Sequence, residues 1–378
     1  MSTFVLDGRT MQDHYWGIGR YVFHLAHSLA EIAPQENFRV LYDPRAQNTR
    51  FEFSRLQDLA NLQLVPLPIN ARAPMEQMIA WKRELLRDAA LYHAPYYALP
   101  YALEIPLVVT LADVTPLVIP GEMPNRAKRM MYRALNRLAA RRAKQIITFS
   151  LAARADLINS LPAQPQKITV VPLAAYENFA PASAQEIERV RAELDLPPRY
   201  LLYLGINKPH KNVLRLCQAF AQVQTDARLV IAGHWDARFP EAKIYVATNQ
   251  FQEKILFRHD IAEANLAPLL SGATAFVFPS THEGFGLPPL EAMACGTPVV
   301  CSNASALPKV VGDAALTFNP TDTQEIAAAL ARLLEDATLR GELQQKGFVQ
   351  ANKFSWERTA RETLRVYRKV TDENSPHL

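Results

Sequence analysis

Short runs of apolar, β-branched residues alternate with helical patterns along the chain, in two blocks separated by a stretch that holds no strand-like run. In the first block STFVLDG is followed by a helical pattern from about Arg20 to Ile32. FRVLYDP, IPLVVTLAD, KQIITFS and KITVVPL come next, with an amphipathic helix between the second and third of these. The second block opens at YLLYLG and runs through a helix from about Asn212, then RLVIAGH, KILFRH, TAFVFPS, a helix, TPVVCS and ALTFNP. Runs of this kind, apolar on successive residues, fit strands of a parallel sheet covered by helices on both faces. Over 378 residues, beyond the usual reach of one hydrophobic core, the two blocks predict two Rossmann-like, doubly wound α/β domains. The expected division is 1–180, a linker over 181–198 in the alanine-, proline- and charge-rich text, 199–353, and a last helix over 354–378 with a weakly apolar tail.

Hydrophobic residues at 49% and charged residues at 21% exclude a disordered or fibrous chain. The opening MSTFVLDGRT has neither a basic stretch nor an apolar core of a signal peptide, and no uncharged apolar run reaches the length of a membrane span. A cytoplasmic protein is expected. Its three cysteines, Cys217, Cys295 and Cys301, lack zinc-ligand spacing and read as reduced thiols. The net charge of +4 is mild but uneven: Arg126, Arg129, Arg133, Arg137 and Arg141 recur every three or four residues in a helix over 125–144. Such a row suits either a solvated face or a peripheral contact with the inner face of an anionic membrane or a lipid-diphosphate acceptor. Tyr132 is its single aromatic residue, too few to interleave with the row, so nucleic-acid binding is not expected.

The segment FPSTHEGFGLPPLEAMACGTPVV, 278–300, reads as strand, glycine loop, helix opening at Pro288 and Pro289, glycine stop at Gly296, and strand. Ligands of open α/β sheets bind at such carboxyl strand ends. Glu283 and Glu291 stand at opposite ends of this loop, and carboxylates hold sugar hydroxyls through charge-assisted hydrogen bonds. Between them Gly284 and Gly286 let backbone amides approach a ligand, beside the positive end of a helix. Taken singly, each glutamate also fits a solvated loop or a helix-dipole partner. In LGINKPHKN, 204–212, Lys208, His210 and Lys211 follow a strand end where cations meet a phosphate. Gly17 and Gly19 in DHYWGIGRY form a turn whose amides suit phosphates. His93, in LYHAPYY, lies at another strand end and points to either an open site or a structural role. No Asp-x-Asp pair occurs, so no metal cofactor is expected.

Together these segments resemble the family 4 retaining glycosyltransferases, with Glu283 and Glu291 as their Glu-x7-Glu signature. GIGRYVFHLAHSLA, YHAPYYALP, KITVVPL, YLGINKPHKN, SALPKVVGDAA and FSWERTARETL have counterparts in the same order. The resemblance implies a GT-B fold, two domains facing across a cleft, with the last helix crossing back to the first domain. It implies Glu283 near the transferred sugar, Lys211 at the donor diphosphate and Glu291 on the ribose. Gly284, Phe285, Gly286, Leu287, Gly205, Asn207, Lys208, His210, Gly17 and Gly19 complete the implied donor site. His14, Tyr15, Trp16, His93 and Asp113 are the acceptor-side candidates. Two positions depart from the pattern: Ile206 stands where an arginine is usual, and Ala112 where many relatives carry histidine. The function implied is retaining, metal-independent transfer of a hexose from a nucleotide-sugar to a glycan, lipid-linked or small-molecule acceptor in polysaccharide or glycoconjugate synthesis. A binding-only partner subunit and a nucleotide-sugar epimerase are the alternatives.

Overall fold

A computed structural model of the chain describes residues 2–70, 86, 88–100, 103–123 and 125–372; the side chain of Trp16 and the tail 373–378 lie outside that description. The chain divides into two compact units, Met1–Val118 with Met123–Leu173 and Ser355–Leu378, and Ile119–Glu122 with Ala174–Phe354. The segment expected as a linker is instead folded: Ala184–Glu193 is a helix of the second unit, started by a capping box between Ser183 and Glu186. The composition that argued against a strand also suits a helix, since Ser183 and Glu186 satisfy each other's amides.

The described strands of the first unit are β1 Thr3–Asp7, β2 Asn37–Tyr42, β3 Leu62–Pro66, β4 Ala89–Ala94, β5 Leu107–Thr110, β6 Gln145–Thr148 and β7 Ile168–Val170. They pair in parallel in the order β3-β2-β1-β4-β5-β6-β7. β1, β5 and β6 are buried along their whole length, which is why, apart from Asp7 and Gln145 at strand ends, their residues are apolar or β-branched without alternation. The first helix, Trp16–Ile32, starts earlier than the pattern suggested. The last helix, Trp356–Asp372, packs in this unit by a stripe that includes Trp356, Ala360, Thr363, Tyr367 and Val370. Thr359 donates to the Pro172 carbonyl at 2.7 Å, and the Trp356 ring stacks on His24 at 5.2 Å.

The second unit holds β8 Tyr200–Leu204, β9 Arg228–Ala232, β10 Ile255–Arg258, β11 Ala275–Phe278, β12 Val299–Ser302 and β13 Ala315–Phe318. All are parallel, in the order β10-β9-β8-β11-β12-β13. Strand order reverses between β8 and β11, so the loops leaving these two strands open a crevice at their carboxyl ends. The three cysteines are free and buried in this unit, and burial pushes each thiol up to about 12.

Candidate functional site

The loops after β8 and β11 carry LGINKPHKN and the Glu283–Glu291 segment, which sheet order therefore brings together. The Lys211 ammonium lies 2.6 Å from the Glu283 carboxylate, with little of either side chain exposed, and 5.0 Å from the centre of the Phe278 ring. Burial pushes the Glu283 carboxyl up, but the charge of Lys211, aided by His210, more than offsets this and holds it below the usual glutamate range. The two loops are tied by backbone as well. Thr281 N–H donates to the His210 carbonyl at 2.8 Å, and the Asn212 amide donates to the Pro279 and Pro320 carbonyls at 3.2 and 2.7 Å. Asn212 takes a left-handed conformation between a short 3-10 turn, Pro209–Lys211, and the helix Val213–Gln222, so the helix begins one residue later than expected.

Gly286 has φ +112, and a Cβ there would meet Leu307 Cδ2 at 2.6 Å. It starts the helix Leu287–Ala294, whose N-terminus no side chain caps. Pro288 and Pro289 have no N–H, so the open donors at this end are the Leu287 amide and those of the loop before it. Glu291 is the fifth residue of this helix, 5% exposed, not in its first turn. Phe285 is buried edge-to-face against Phe354 at 5.8 Å, so its ring holds the loop's shape. Gly286→Ala should cost about 1–3 kcal/mol through backbone strain and displace the loop. A thermal midpoint equal to wild type would show that the loop tolerates a Cβ.

Several expected site residues are committed elsewhere. The Asn207 amide donates to the Asp236 and Phe239 carbonyls and its oxygen accepts from Asp236 N–H, so the side chain fastens the loop after β9 and offers little to a ligand. Gly205 provides clearance: Tyr203 donates to the Ile206 carbonyl at 2.8 Å, and a Cβ on Gly205 would lie 2.9 Å from that hydroxyl. His210 does not stand open for a phosphate, because its backbone N–H and its ring Nδ1 both meet the Glu122 carboxylate. Burial acts to raise the Glu122 carboxyl, and His210 outweighs it, leaving Glu122 below its usual range. Sequence reasoning missed Glu122: it belongs to the second unit although it lies 88 positions before His210, and no local pattern marks that pairing. Lys208, half-buried, makes no ion pair among the described residues, which keeps it available to an anion.

On the first unit, Gly17 and Gly19 lie inside the first helical turn and not in a loop. Gly19 donates to the Tyr15 carbonyl, and a Cβ on it would strike the Thr10 carbonyl at 2.5 Å and the Phe51 ring, so this glycine serves close packing. Gly17 has open space beside it, and no side chain caps the helix. His14 is exposed and Tyr15 buried beneath it, rings edge-on at 5.0 Å. The Trp16 side chain lies outside the described residues. Asp113 accepts from Thr115 N–H at 2.8 Å, starting a short helical turn. His93 does not reach an open site: Nδ1 bonds the Tyr367 hydroxyl at 2.6 Å and Nε2 the Thr110 hydroxyl at 2.7 Å, which Tyr21 also meets. Burial lowers its pKa to about 3, so it is a neutral ring joining β4 and β5 to the last helix.

Among the described residues no group of three or more His, Cys, Asp or Glu comes together as a metal site, and no helix is long and apolar enough to cross a membrane. Two family models match the chain: glycosyl transferase 4-like domain over residues 17–174, and glycosyl transferases group 1 over 184–350. An O-antigen chain mannosyltransferase B of Escherichia coli is 32% identical over 369 residues, covering 93% of this chain and 96% of that protein. The chain belongs to the group 1, family 4 type glycosyltransferases. The glycosyltransferase shares its GT-B fold with sucrose-phosphate synthase of Thermosynechococcus elongatus, TM-score 0.78 at 21% identity, covering 99% of this chain and 100% of the other. It also matches the Anabaena protein HepE, solved in complex with UDP, with TM-score 0.73 at 18% identity over 98% and 100% of the two chains.

Proposed function

We propose that this glycosyltransferase moves a hexose, mannose or glucose, from a nucleoside diphosphate sugar to a glycan or lipid-linked acceptor, with retention at the anomeric carbon and without a metal ion. The observation that carries this is the buried Lys211–Glu283 pair at the reversal point of the second sheet, beside the open amides at Leu287. A cation and uncapped amides suit a departing diphosphate, and the carboxylate suits sugar hydroxyls. In the step proposed, the acceptor oxygen bonds the anomeric carbon on the face the diphosphate leaves, and the acceptor proton passes to the leaving phosphate oxygen. Lys211, with Lys208, balances the charge that develops there. Glu291 holds the ribose hydroxyls.

Mannose is favoured by the E. coli relative, whose name places it in O-antigen chain synthesis and whose length this chain nearly matches. Cell-surface polysaccharide synthesis at the inner face of the cytoplasmic membrane is the corresponding setting, with the basic helix 125–144 as the peripheral contact near a lipid-linked acceptor. Nucleoside diphosphates and their sugars, each at about 100 times its dissociation constant, should raise the thermal midpoint by about 5–10 °C for the matching base. Mass-spectrometric donor consumption with acceptor extracts then tests transfer. Binding of a nucleotide sugar that no extract consumes would overturn the transfer reading, and conversion of the donor without acceptor would mark an epimerase.

A further inference from the structure

Glu122 is a charged group that the proposed step leaves without a task. Its side chain is 1% exposed, and a carboxylate placed so deeply is kept only where its bonds replace those of water. Both of its bonds go to one residue: Oε1 accepts from the His210 backbone N–H at 3.2 Å and meets the ring Nδ1. Burial opposes the charge, while His210 and, to a smaller extent, Lys208 favour it. A buried anion beside a loop that receives a diphosphate works against donor binding, because like charges repel most where water is excluded. What offsets that repulsion is the placement of the residue after His210.

That residue is Lys211, the last of the short 3-10 turn Pro209–Lys211. Three residues wound once keep a single conformation only when their neighbours fix it. Here the lysine is bracketed. On one side the His210 N–H is taken by Glu122, and the His210 carbonyl accepts from Thr281 N–H at 2.8 Å and from the Thr281 hydroxyl at 3.2 Å. On the other, Asn212 is left-handed and tied through its amide to the Pro279 and Pro320 carbonyls. Lysine carries its ammonium on a flexible four-carbon stem, so the place the charge reaches is decided by where this backbone is held. Thr281, Pro279 and Pro320 follow strands of the second sheet, whereas Glu122 comes from the separate turn Ile119–Glu122. Gly121, at φ +83 with open space around it, gives that turn its bend. Because Ile206 brings no charge to the loop, a displaced Lys211 would leave Lys208 alone with the departing diphosphate.

We propose that Glu122 is a positioning residue for sugar transfer: through His210 it holds the turn from which Lys211 reaches Glu283 and the leaving diphosphate. The inference rests on the role given to Lys211 above, so its first measurement is independent of transfer. In protein made with isotope-labelled lysine, the paired and shielded Lys211 ammonium should give a slowly exchanging NMR signal, identified by its loss in Lys211→Met. Glu122→Ala should abolish that signal; an unmoved signal in the folded variant overturns the proposal. In transfer, followed with GDP-mannose and UDP-glucose as donors, Glu122→Ala should lower kcat about 10–100-fold. Two further variants separate bond from charge, and they decide the matter if the alanine variant does not fold. Glu122→Gln keeps an oxygen in the place that accepts both bonds. It should regain most of the loss, with nucleoside diphosphate bound as tightly or more tightly because the opposing charge is gone. Glu122→Asp keeps the charge but draws the oxygen back by one methylene, and should lose about as much as alanine. Gly121→Ala, strained at positive φ although it touches nothing, should lower kcat by displacing Glu122. The reverse order, aspartate active and glutamine not, would mean that Glu122 acts by its charge and overturns the proposal, as does wild-type kcat in the alanine and aspartate variants. Wild type consuming neither donor counts against the transfer reading alone, and the lysine signal still decides what Glu122 holds. Full turnover in Lys211→Met would instead remove the reaction role of Lys211, and that of Glu122 with it.

Discussion

Glu283→Gln is expected to lower sugar transfer by about 100-fold or more, the range seen when one preorganised electrostatic group is removed, while nucleoside diphosphate binding is kept or tightened. Glutamine preserves the shape of the loop but removes the charge that Lys211 meets at 2.6 Å. The ammonium then turns its full charge to a bound diphosphate, so calorimetry should give an equal or smaller dissociation constant as turnover falls. Activity within about threefold of wild type would remove Glu283 from the reaction. Lys211→Met tests the other half of the pair. With the lysine gone, the burial that raises the Glu283 pKa loses its main counterweight. In wild type the depressed pKa keeps the carboxylate ionised, and the pair intact, until the pH falls below the usual glutamate range. The variant's acid limb should therefore move to higher pH, and an unmoved limb would show that Lys211 does not control this carboxylate.

Arg9→Met should destabilise the first unit by about 3–5 kcal/mol, the cost of leaving a buried charge without its partner. At the carboxyl end of β1, Arg9 is 1% and Asp7 3% exposed. The guanidinium grips the carboxylate with two bonds of 2.8 and 2.5 Å, and the Tyr92 hydroxyl donates to the same carboxylate at 2.8 Å. Burial alone would lower the Arg9 pKa; the charge and hydrogen bonds of Asp7 more than offset it and raise it above the ordinary value. Hydrogen exchange of the β1 and β4 amides should quicken strongly in the variant, and Asp7→Asn/Arg9→Met should recover part of the loss. Protection equal to wild type in the single variant would mean that the charge is not buried in solution.

Much of the second unit's site is legible along the chain because it is local. The Glu283–Glu291 spacing, Gly286 before the helix, and the prolines at its start belong to one loop and its helix, and the strand on either side declares itself by its apolar run. The first unit's glycines were harder to read. A Gly-Ile-Gly turn and a Gly-Ile-Gly helix start look alike in sequence, and what separates them is the Thr10 carbonyl and Phe51 ring against Gly19. His93 is a similar case, since a strand-end histidine becomes a neutral tether only when Tyr367, 274 positions away, takes its Nδ1.

By itself the sequence determined two parallel α/β units, the family, the carboxylate loop and the acid-free basic helix, because strand periodicity, turn chemistry and charge are properties of neighbouring residues. Only the tertiary structure decided that Lys211 meets Glu283 across 72 positions and that Glu122 occupies His210. It also showed that Met130, Met131 and Leu138 face outward. Those outcomes follow from which strand lies beside which and from which helix face the core claims, and these are settled by packing over the whole unit.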